Sequence, residues 1–247
     1  MIELSVLVLP DRDPAAFVAD VRAAEALGVR TVWTYDHLSG GRLEIGVGAG
    51  AEGADAAVLG DPPRSRAERA GRFAEWLGLL DHLLTHDVST VRGPRYSAVE
   101  ARQMPGCLQR PRVPLTVAAT GPRAMALAAR HGQAWVTYGA YRRQDEPEGW
   151  FAALEEQGRG LDAALDAAGR PRAAPRRIAQ VALDMTWPFE SPDRYADFAG
   201  RLRDAGFHEL TLHWPRPDDA RGMPSGALDL VAATHQSSRR ASRKAER

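Results

Sequence analysis

The stretch "LTVAATGPRAMALAARHG" (115–132) contains the residue types and spacing best suited to binding an anion. We expect a strand to end at Ala118–Ala119, Thr120–Gly121 to form a tight turn, and Pro122 to open a helix. Backbone N–H groups at a helix start lack partners within the helix, and the helix dipole adds partial positive charge there. Together with the close approach that Gly121 allows, they suit a phosphate. An ordinary strand-to-helix turn without a ligand is the alternative.

The glycine-rich segment "GVGAG" (46–50) follows another predicted strand. It is not the dinucleotide-binding pattern GxGxxG, because position 51 is Ala and Gly53 comes too late. The glycines either allow close backbone packing at a strand end or, at Gly48 and Gly50, contact a ligand. Glu52 and Asp55 follow directly and are candidates to face the same site.

A histidine also stands at each of two predicted strand ends. Asp36 and His37 follow the strand "TVWTY" (31–35), at the carboxyl end where barrel enzymes carry catalytic groups. Histidine titrates near neutral pH and can donate a hydrogen bond or a proton. For a single strand-end histidine, a structural hydrogen bond is the simpler interpretation. The same two interpretations apply to His213 at the end of the last strand.

Composition excludes several classes of function. The formal net charge of zero gives no overall positive field for nucleic acid. Lys244 is the only lysine, which argues against Schiff-base chemistry and a P-loop. The only cysteine, Cys107, allows neither an intrachain disulfide nor a cysteine-based zinc site. No apolar run reaches membrane-spanning length and no signal peptide is recognisable, so we expect a cytoplasmic protein.

No metal site is predicted. His82 and His86 have a spacing of four residues, but the glutamate of the zinc-binding pattern HExxH is missing. No GxSxG pattern or Ser–His–Asp set is recognisable either.

Strand-like and helix-like stretches alternate along the chain, which predicts an α/β fold with a mostly parallel sheet. The predicted helices are residues 14–27, 64–84, 122–132, 148–168 and 191–206, and a loop is expected over about 87–112. The seven predicted strands are residues 2–9, 31–35, 43–47, 113–119, 134–138, 177–185 and 209–214.

The second and third predicted strands are separated only by residues 36–42. A parallel crossover needs about a dozen residues or more. These strands therefore either pair as an antiparallel hairpin or depart from the regular order. We expect residues 1–235 to form a single domain. The polar segment 236–247, with five basic residues, is expected to be a disordered tail, for which nucleic-acid binding is a weaker alternative.

Four phrases together resemble the luciferase-like monooxygenase superfamily of flavin- and deazaflavin-dependent oxidoreductases, over about residues 2–218. In chain order they are "AAEALGVRTVWTYDHL", "SGGRLEIGVGAG", "RPRVPLTVAATGPRAMALAARHGQAWVTYG" and "AGFHELTLHWPRP". The resemblance implies a (β/α)8 TIM barrel, usually a homodimer, that binds FMN or coenzyme F420 at the carboxyl ends of its strands. It also implies hydride transfer with a small-molecule substrate, or oxygen activation by reduced FMN.

The resemblance assigns roles to particular residues. His37, preceded by Asp36, matches the histidine beside the reacting ring in F420-dependent dehydrogenases, which favours F420 slightly over FMN. Glu52 or Asp55 falls where such enzymes carry an acid. The turn that holds the cofactor phosphate and a position that lines the cofactor site are matched by Ala119, Thr120, Gly121 and Thr137.

The chain departs from the family pattern at a single "DHL" (36–38), where two family phrases are fused. The missing part corresponds to the second helix, third strand and third helix, roughly sixty residues. An internal deletion is one explanation, and a sequence written without a break across a disordered segment is another. Seven strands cannot close the usual eight-stranded barrel, so the edges would need covering, for example by a dimer partner.

Two functions follow as hypotheses. The first is an F420- or FMN-dependent oxidoreductase with an incomplete, seven-stranded TIM-barrel-like fold. The second is a non-catalytic relative that binds a flavin or is purely structural, because the missing third strand normally supports the flavin ring.

Overall fold

The computed structural model describes residues 2–8, 14–33, 43–50, 60, 62–103, 106–140, 146–182, 185–215, 223–224 and 226–235. Within these ranges the strands are β1 (Glu3–Leu7), β2 (Thr31–Trp33), β3 (Ile45–Val47), β4 (Val88–Arg92), β5 (Ser97–Arg102), β6 (Leu115–Ala118), β7 (Ala134–Thr137), β8 (Arg176–Gln180) and β9 (Glu209–His213). The helices are α1 (Pro14–Ala26), α2 (Arg66–Thr85), α3 (Pro122–His131), α4 (Pro147–Ala167), α5 (Pro192–Asp204) and α6 (227–235), with a 3-10 turn at Trp187–Phe189.

The prediction of an α/β fold with seven sheet strands is confirmed. The strand order is β2-β1-β9-β8-β7-β6-β3, and the registered neighbours run parallel. The two strands on either side of residues 36–42 take the two ends of this order. β2 pairs with β1 and β3 pairs with β6, which excludes an antiparallel hairpin between β2 and β3.

The chain forms two compact units. The first comprises residues 1–38, 137–159 and 176–247, and it contains β1, β2, β8 and β9. In these strands one sheet face carries buried apolar side chains, including Leu4, Val6, Leu210 and Leu212. The opposite face carries a row of polar side chains in register: Thr31, Ser5, Thr211 and Gln180. We call it the polar face. The Ser5 and Thr211 hydroxyl oxygens lie 2.6 Å apart on it.

The second unit comprises residues 39–136 and 160–175, with β3, β6 and most of β7. Leu115, Val117 and Trp135 are fully buried on one face of these strands. The core is completed by apolar residues of α2 and α3, namely Phe73, Leu77, Met125, Ala128 and Ala129. The apolar positions of α2 recur at helical spacing, so the sequence predicts this helix well. A capping box of Ser65 and Glu68 defines its start.

The prediction of a loop over 87–112 is wrong for part of that range, because β4 and β5 form an antiparallel hairpin there. The pairing shifts by one residue where Val99 and Glu100 oppose Thr90, and Glu100 has a positive φ of 47°. This bulge breaks the alternation of side chains on which strand prediction depends.

One carboxylate on α2 holds the turn of this hairpin. Oxygen Oε1 of Glu75 accepts hydrogen bonds from the backbone N–H groups of Arg95 and Tyr96, at 2.7 and 2.9 Å. The Arg95 guanidinium also donates to Glu75, at 3.0 Å. The hairpin is therefore attached to α2 rather than to the seven-stranded sheet.

Candidate functional site

The turn between β6 and α3, residues 119–121, has the geometry that the sequence predicts. Gly121 is the N-cap of α3 with extended backbone angles, and Pro122 occupies the first turn. Among the residues that the structure describes, no side chain caps the helix start, which leaves the first N–H groups of α3 to a ligand. Thr120 is exposed and Gly121 is half-buried, so these groups are accessible.

Backbone and side-chain hydrogen bonds fix the strand end before this turn. The Ala119 N–H donates to the Val136 carbonyl at 3.2 Å, and the buried Trp135 indole donates to the Ala119 carbonyl at 2.8 Å. Ala119 itself is buried. The turn therefore begins from a rigid position, which is what a preformed binding site requires.

Gly48 lies beside the same strand end. A Cβ atom at Gly48 would come within 3.2 Å of the Ala118 Cβ, since β3 and β6 pair in register one residue earlier. Gly50, two residues on, has a positive φ of 73° that favours glycine, and a Cβ there would meet nothing within 4 Å. Gly48 is thus next to the β6–α3 turn because the strands approach closely there, as one interpretation of the sequence predicted.

Arg66 is a candidate site residue that sequence reasoning missed. It is the first residue of α2, and its Nη2 atom would lie 3.1 Å from a Cβ placed on Gly121. Within the part of the chain that the structure describes, Arg66 makes no hydrogen bond or ion pair. Contact between residues 66 and 121 depends on how α2 and α3 pack, so no local pattern in the sequence indicated it.

The carboxyl end of α3 is fastened by two arginines. The guanidinium of buried Arg112 donates to Asp81 and to the carbonyls of Val113 and His131. Arg170 donates to the carbonyls of Ala129 and Gly132. The carbonyls of Ala129, His131 and Gly132 are groups that a helix end leaves without partners, so both arginines stabilise α3.

His131 lies in the same cluster, with its Nδ1 atom 3.4 Å from an Asp81 carboxylate oxygen. Burial lowers the pKa of the His131 imidazole, and the arginines nearby act in the same direction. Asp81 opposes this effect but does not outweigh it. His131 therefore favours the neutral state, and the cluster has a structural rather than a ligand-binding geometry.

Thr137, the last residue of β7, is held in a hydrogen-bond network of its own. Its hydroxyl donates to the Gln157 side chain of α4 and accepts from the Gly139 N–H at 3.2 Å. Gln157 also donates to the Gly139 carbonyl at 3.1 Å, and the Trp150 indole donates to the Tyr138 carbonyl at 2.9 Å. One acceptor site of the Thr137 oxygen is left, so its role beside a cofactor stays a prediction.

The predicted catalytic residues His37, Glu52 and Asp55, together with Asp36, lie outside the described residues. His82 and His86 stack with ring centroids 3.9 Å apart, and no group of three metal-ligating side chains occurs in the described ranges. Among those same residues, no helix is long and apolar enough to cross a membrane. The basic tail 236–247 also lies outside the described part of the chain.

Comparison with known proteins gives consistent results. Residues 5–234 match the model of the family described as luciferase-like monooxygenase. The F420-dependent glucose-6-phosphate dehydrogenase of Beutenbergia cavernae is 37% identical over 125 residues, 50% of this chain and 36% of that protein. The 4-hydroxyprotoasukamycin monooxygenase of Streptomyces nodosus subsp. asukaensis is 34% identical over 142 residues, 52% of this chain and 37% of that protein.

The matches span little more than a third of the length of these two curated relatives. Among solved structures, an F420-dependent secondary alcohol dehydrogenase in complex with an F420-acetone adduct has a TM-score of 0.73 at 13% identity, covering 94% of this chain and 98% of that one. At that identity the likeness concerns the fold alone, and it agrees with the predicted TIM-barrel-like class.

Proposed function

We propose, from the premise that this chain belongs to the luciferase-like monooxygenase family, that it is an oxidoreductase that uses coenzyme F420 or FMN to act on a small organic molecule. The names of the two curated relatives, a dehydrogenase and a monooxygenase, support an enzyme. They do not favour the alternative of a non-catalytic relative.

The observation that carries this proposal is the β6–α3 turn. Both cofactors contain a phosphate, whose oxygens accept hydrogen bonds from N–H groups. The uncapped start of α3 offers such groups, and a side chain at Gly121 would fill the space beside Arg66. A helix start with a cation next to it is a common anion-binding arrangement. The residues present therefore fit a phosphate held by Thr120, Gly121 and Arg66.

The remaining assignments are proposals that rest on family resemblance. A bound F420 or FMN would supply the atom that accepts or donates a hydride. His37 would donate a hydrogen bond or a proton near the ring, and Glu52 or Asp55 would act as the assisting acid. Asp36, Gly48, Gly50, Ala119 and Thr137 would line the cofactor. F420 is proposed ahead of FMN, because the Asp36–His37 pair is typical of F420-dependent members.

A titration of the purified chain with F420 and with FMN tests this function. We expect a shift of the cofactor absorbance band on binding. An Arg66→Gln variant should weaken binding about ten-fold or more, because a charge-assisted hydrogen bond contributes roughly 1.5–3 kcal/mol. Arg159→Gln is the matched control, since Arg159 is an exposed arginine paired with Glu155 on α4.

The outcomes separate the parts of the proposal. A chain that shifts the band of neither cofactor, and does not turn over either in reduced form, contradicts the proposed function. A chain that binds cofactor equally well with and without Arg66 retains the function but contradicts the phosphate site. An Arg159→Gln variant that loses binding would show that the effect is one of general charge.

We further propose a single-domain homodimer in the cytoplasm. Each of the edge strands β2 and β3 has one partner strand in the described residues, and an uncovered edge favours association. Light scattering during size-exclusion chromatography tests the dimer, and limited proteolysis tests the single domain. A monomer mass, or an early cut inside residues 62–103, contradicts these points.

A further inference from the structure

Exposed apolar side chains are concentrated at the hairpin of β4 and β5. Among the residues that the structure describes, five large apolar side chains are exposed, and three of them lie in this hairpin or shortly after it. These three are Val88, Val99 and Leu108, which are 50%, 61% and 94% exposed. Single exposed apolar residues are common on protein surfaces, whereas neighbouring ones form a patch that is typical of a protein–protein contact.

The strand pairing places the two valines on one face of the hairpin. Val88 pairs with Arg102, and Val99 lies opposite Thr90 at the bulge. Residues 88, 90, 92, 97, 99, 100 and 102 are all exposed, and we call them the outer face. Ser89 is buried, because side chains alternate along a strand and the opposite face of the hairpin lies towards α2.

Leu108 adjoins the open end of this hairpin. The Gln103 N–H donates to the Asp87 carbonyl at 2.9 Å, directly before Val88. A Cβ placed on Gly106 would lie 4.0 Å from the Asp87 carboxylate oxygen Oδ1. The chain therefore passes beside the start of β4 shortly before Leu108, which adds a third apolar side chain to the patch.

The charged residues of the outer face carry both signs. Arg92 lies beside the turn, Glu100 lies at the bulge, and Arg102 lies at the open end. Within the described ranges, none of these three side chains forms an ion pair. A partner with charges of one sign would place like charges against some of them. A second copy of the chain supplies both signs, so the outer face is complementary to itself.

The shape of the hairpin favours contact through its face and not through its edge. The bulge at Glu100, with its positive φ of 47°, interrupts the regular backbone of β5 and discourages the addition of another strand there. Two sheets that pack face to face lie about 10 Å apart, with apolar side chains between them. A two-stranded hairpin is only marginally stable in water, so a cover over the outer face also stabilises it.

We propose that the outer face, together with Leu108, is the surface through which two copies of this chain associate about a two-fold axis. The apolar side chains Val88, Val99 and Leu108 pack against the second copy, and Glu100 meets an arginine of the facing hairpin. A two-stranded face is smaller than a standard interface of about 800 Å² per partner, so the dimer should dissociate on dilution. The assignment rests on the proposed homodimer and is independent of the proposed enzymatic activity.

Sedimentation equilibrium of the full chain over a dilution series tests this surface, and we expect a monomer–dimer equilibrium. Val99→Glu should raise the dimer dissociation constant about ten-fold or more, because it places an unpaired charge inside the contact. Val18→Glu is the matched control, since Val18 is a 44% exposed valine on α1, and it should leave the dissociation constant unchanged. Urea unfolding of both variants verifies that they fold.

A pair of charge-reversal variants tests the self-complementarity. Glu100→Arg makes the charges of the outer face all positive, and the double substitution Arg92→Glu with Arg102→Glu makes them all negative. Each variant alone should dimerise more weakly than the unchanged chain, because like charges then face each other. A mixture of the two variants should form a heterodimer, since their charges are opposite.

The outcomes separate this inference from the proposed activity. A chain that is monomeric at every concentration, a dimer unaffected by Val99→Glu, an equal loss in Val18→Glu, or variants that do not associate when mixed would overturn the proposal. A dimer that Val99→Glu disrupts, in a chain that binds neither F420 nor FMN, would contradict the proposed activity alone. Cofactor binding by a chain whose dimer tolerates Val99→Glu would contradict this inference alone.

Discussion

Within the described ranges, the turn that follows β6 has no side-chain cap on its backbone N–H groups, whereas the connection that follows β7 is held by side chains of α4. After β6 the helix start is uncapped and Arg66 stands beside it. After β7, Gln157 and Trp150 bond to the backbone at Gly139 and Tyr138. This difference shows two uses of the backbone polar groups at a strand end. They either remain for a ligand or form hydrogen bonds with side chains that fix the chain.

The largest expected effect is on the free energy of unfolding, and it is seen by comparing two arginines of the second unit. Arg112→Gln should lower the free energy of unfolding by about 3 kcal/mol, because the buried guanidinium is lost together with its ion pair to half-buried Asp81 and its two carbonyl contacts. Arg66→Gln should change it by less than about 0.5 kcal/mol, since Arg66 is exposed. Urea unfolding measures both values. A large loss of unfolding free energy in Arg66→Gln would mean that this arginine stabilises the fold and is not reserved for binding a ligand.

The next effect concerns the fixed connection after β7. Gly139 has a positive φ of 64°, and a Cβ there would lie 2.8 Å from the Trp150 indole nitrogen. Gly139→Ala should therefore cost about 2–3 kcal/mol, from left-handed strain and the steric overlap together. Gly169→Ala is the matched control, because Gly169 has a φ of 65° with open space around it, and it should cost about 1 kcal/mol. Equal losses in thermal or urea unfolding would contradict the steric part.

A smaller effect is expected at the centre of the same network. Thr137→Val should cost about 1–2 kcal/mol, because the Gly139 N–H and the Gln157 carbonyl oxygen lose a buried partner. Thr137→Ser keeps the hydroxyl and should recover most of that loss. If Thr137→Val instead weakens cofactor binding without changing stability, the residue faces the cofactor, as the family resemblance implies.

The smallest effect is a pH dependence at the carboxyl end of α3. Because burial lowers the pKa of His131, the unfolded chain binds its proton more readily than the folded chain. The contribution of His131 to stability is thus fully present above pH ~6.5, and it decreases as the pH falls through the folded pKa of His131. Urea unfolding at pH 7 and pH 5.5 should show a smaller difference for His131→Asn than for the unchanged chain.

His208 provides a comparison for this measurement. Burial also lowers its pKa, with Arg177 acting in the same direction and Glu3 opposing. His208→Asn should therefore remove a separate share of the same pH dependence. A pH difference that survives both substitutions would assign it to other groups.

Much of the fold could be predicted because its signals are local. Gly28, for example, follows α1 with a φ of 77°, as the predicted stop requires. The β4–β5 hairpin was missed because its bulge at Glu100 breaks the alternation and its outer face is exposed. Local patterns therefore failed where the strands pair only with each other.

The candidate site divides in the same way. The turn at Thr120–Gly121 was predictable, since a glycine before a helix-opening proline has a direct structural meaning. Arg66 was not, because its proximity to Gly121 arises from the packing of helices more than fifty positions apart.

The attachment of the hairpin turn to Glu75 has a consequence for folding. The partners, Arg95 and Tyr96, lie only 20 and 21 positions further along the chain. Contacts of such short sequence separation cost little loop-closure entropy and form early. We therefore expect α2 and the hairpin to acquire their native contacts during synthesis before β6 has left the ribosome, as a local folding unit.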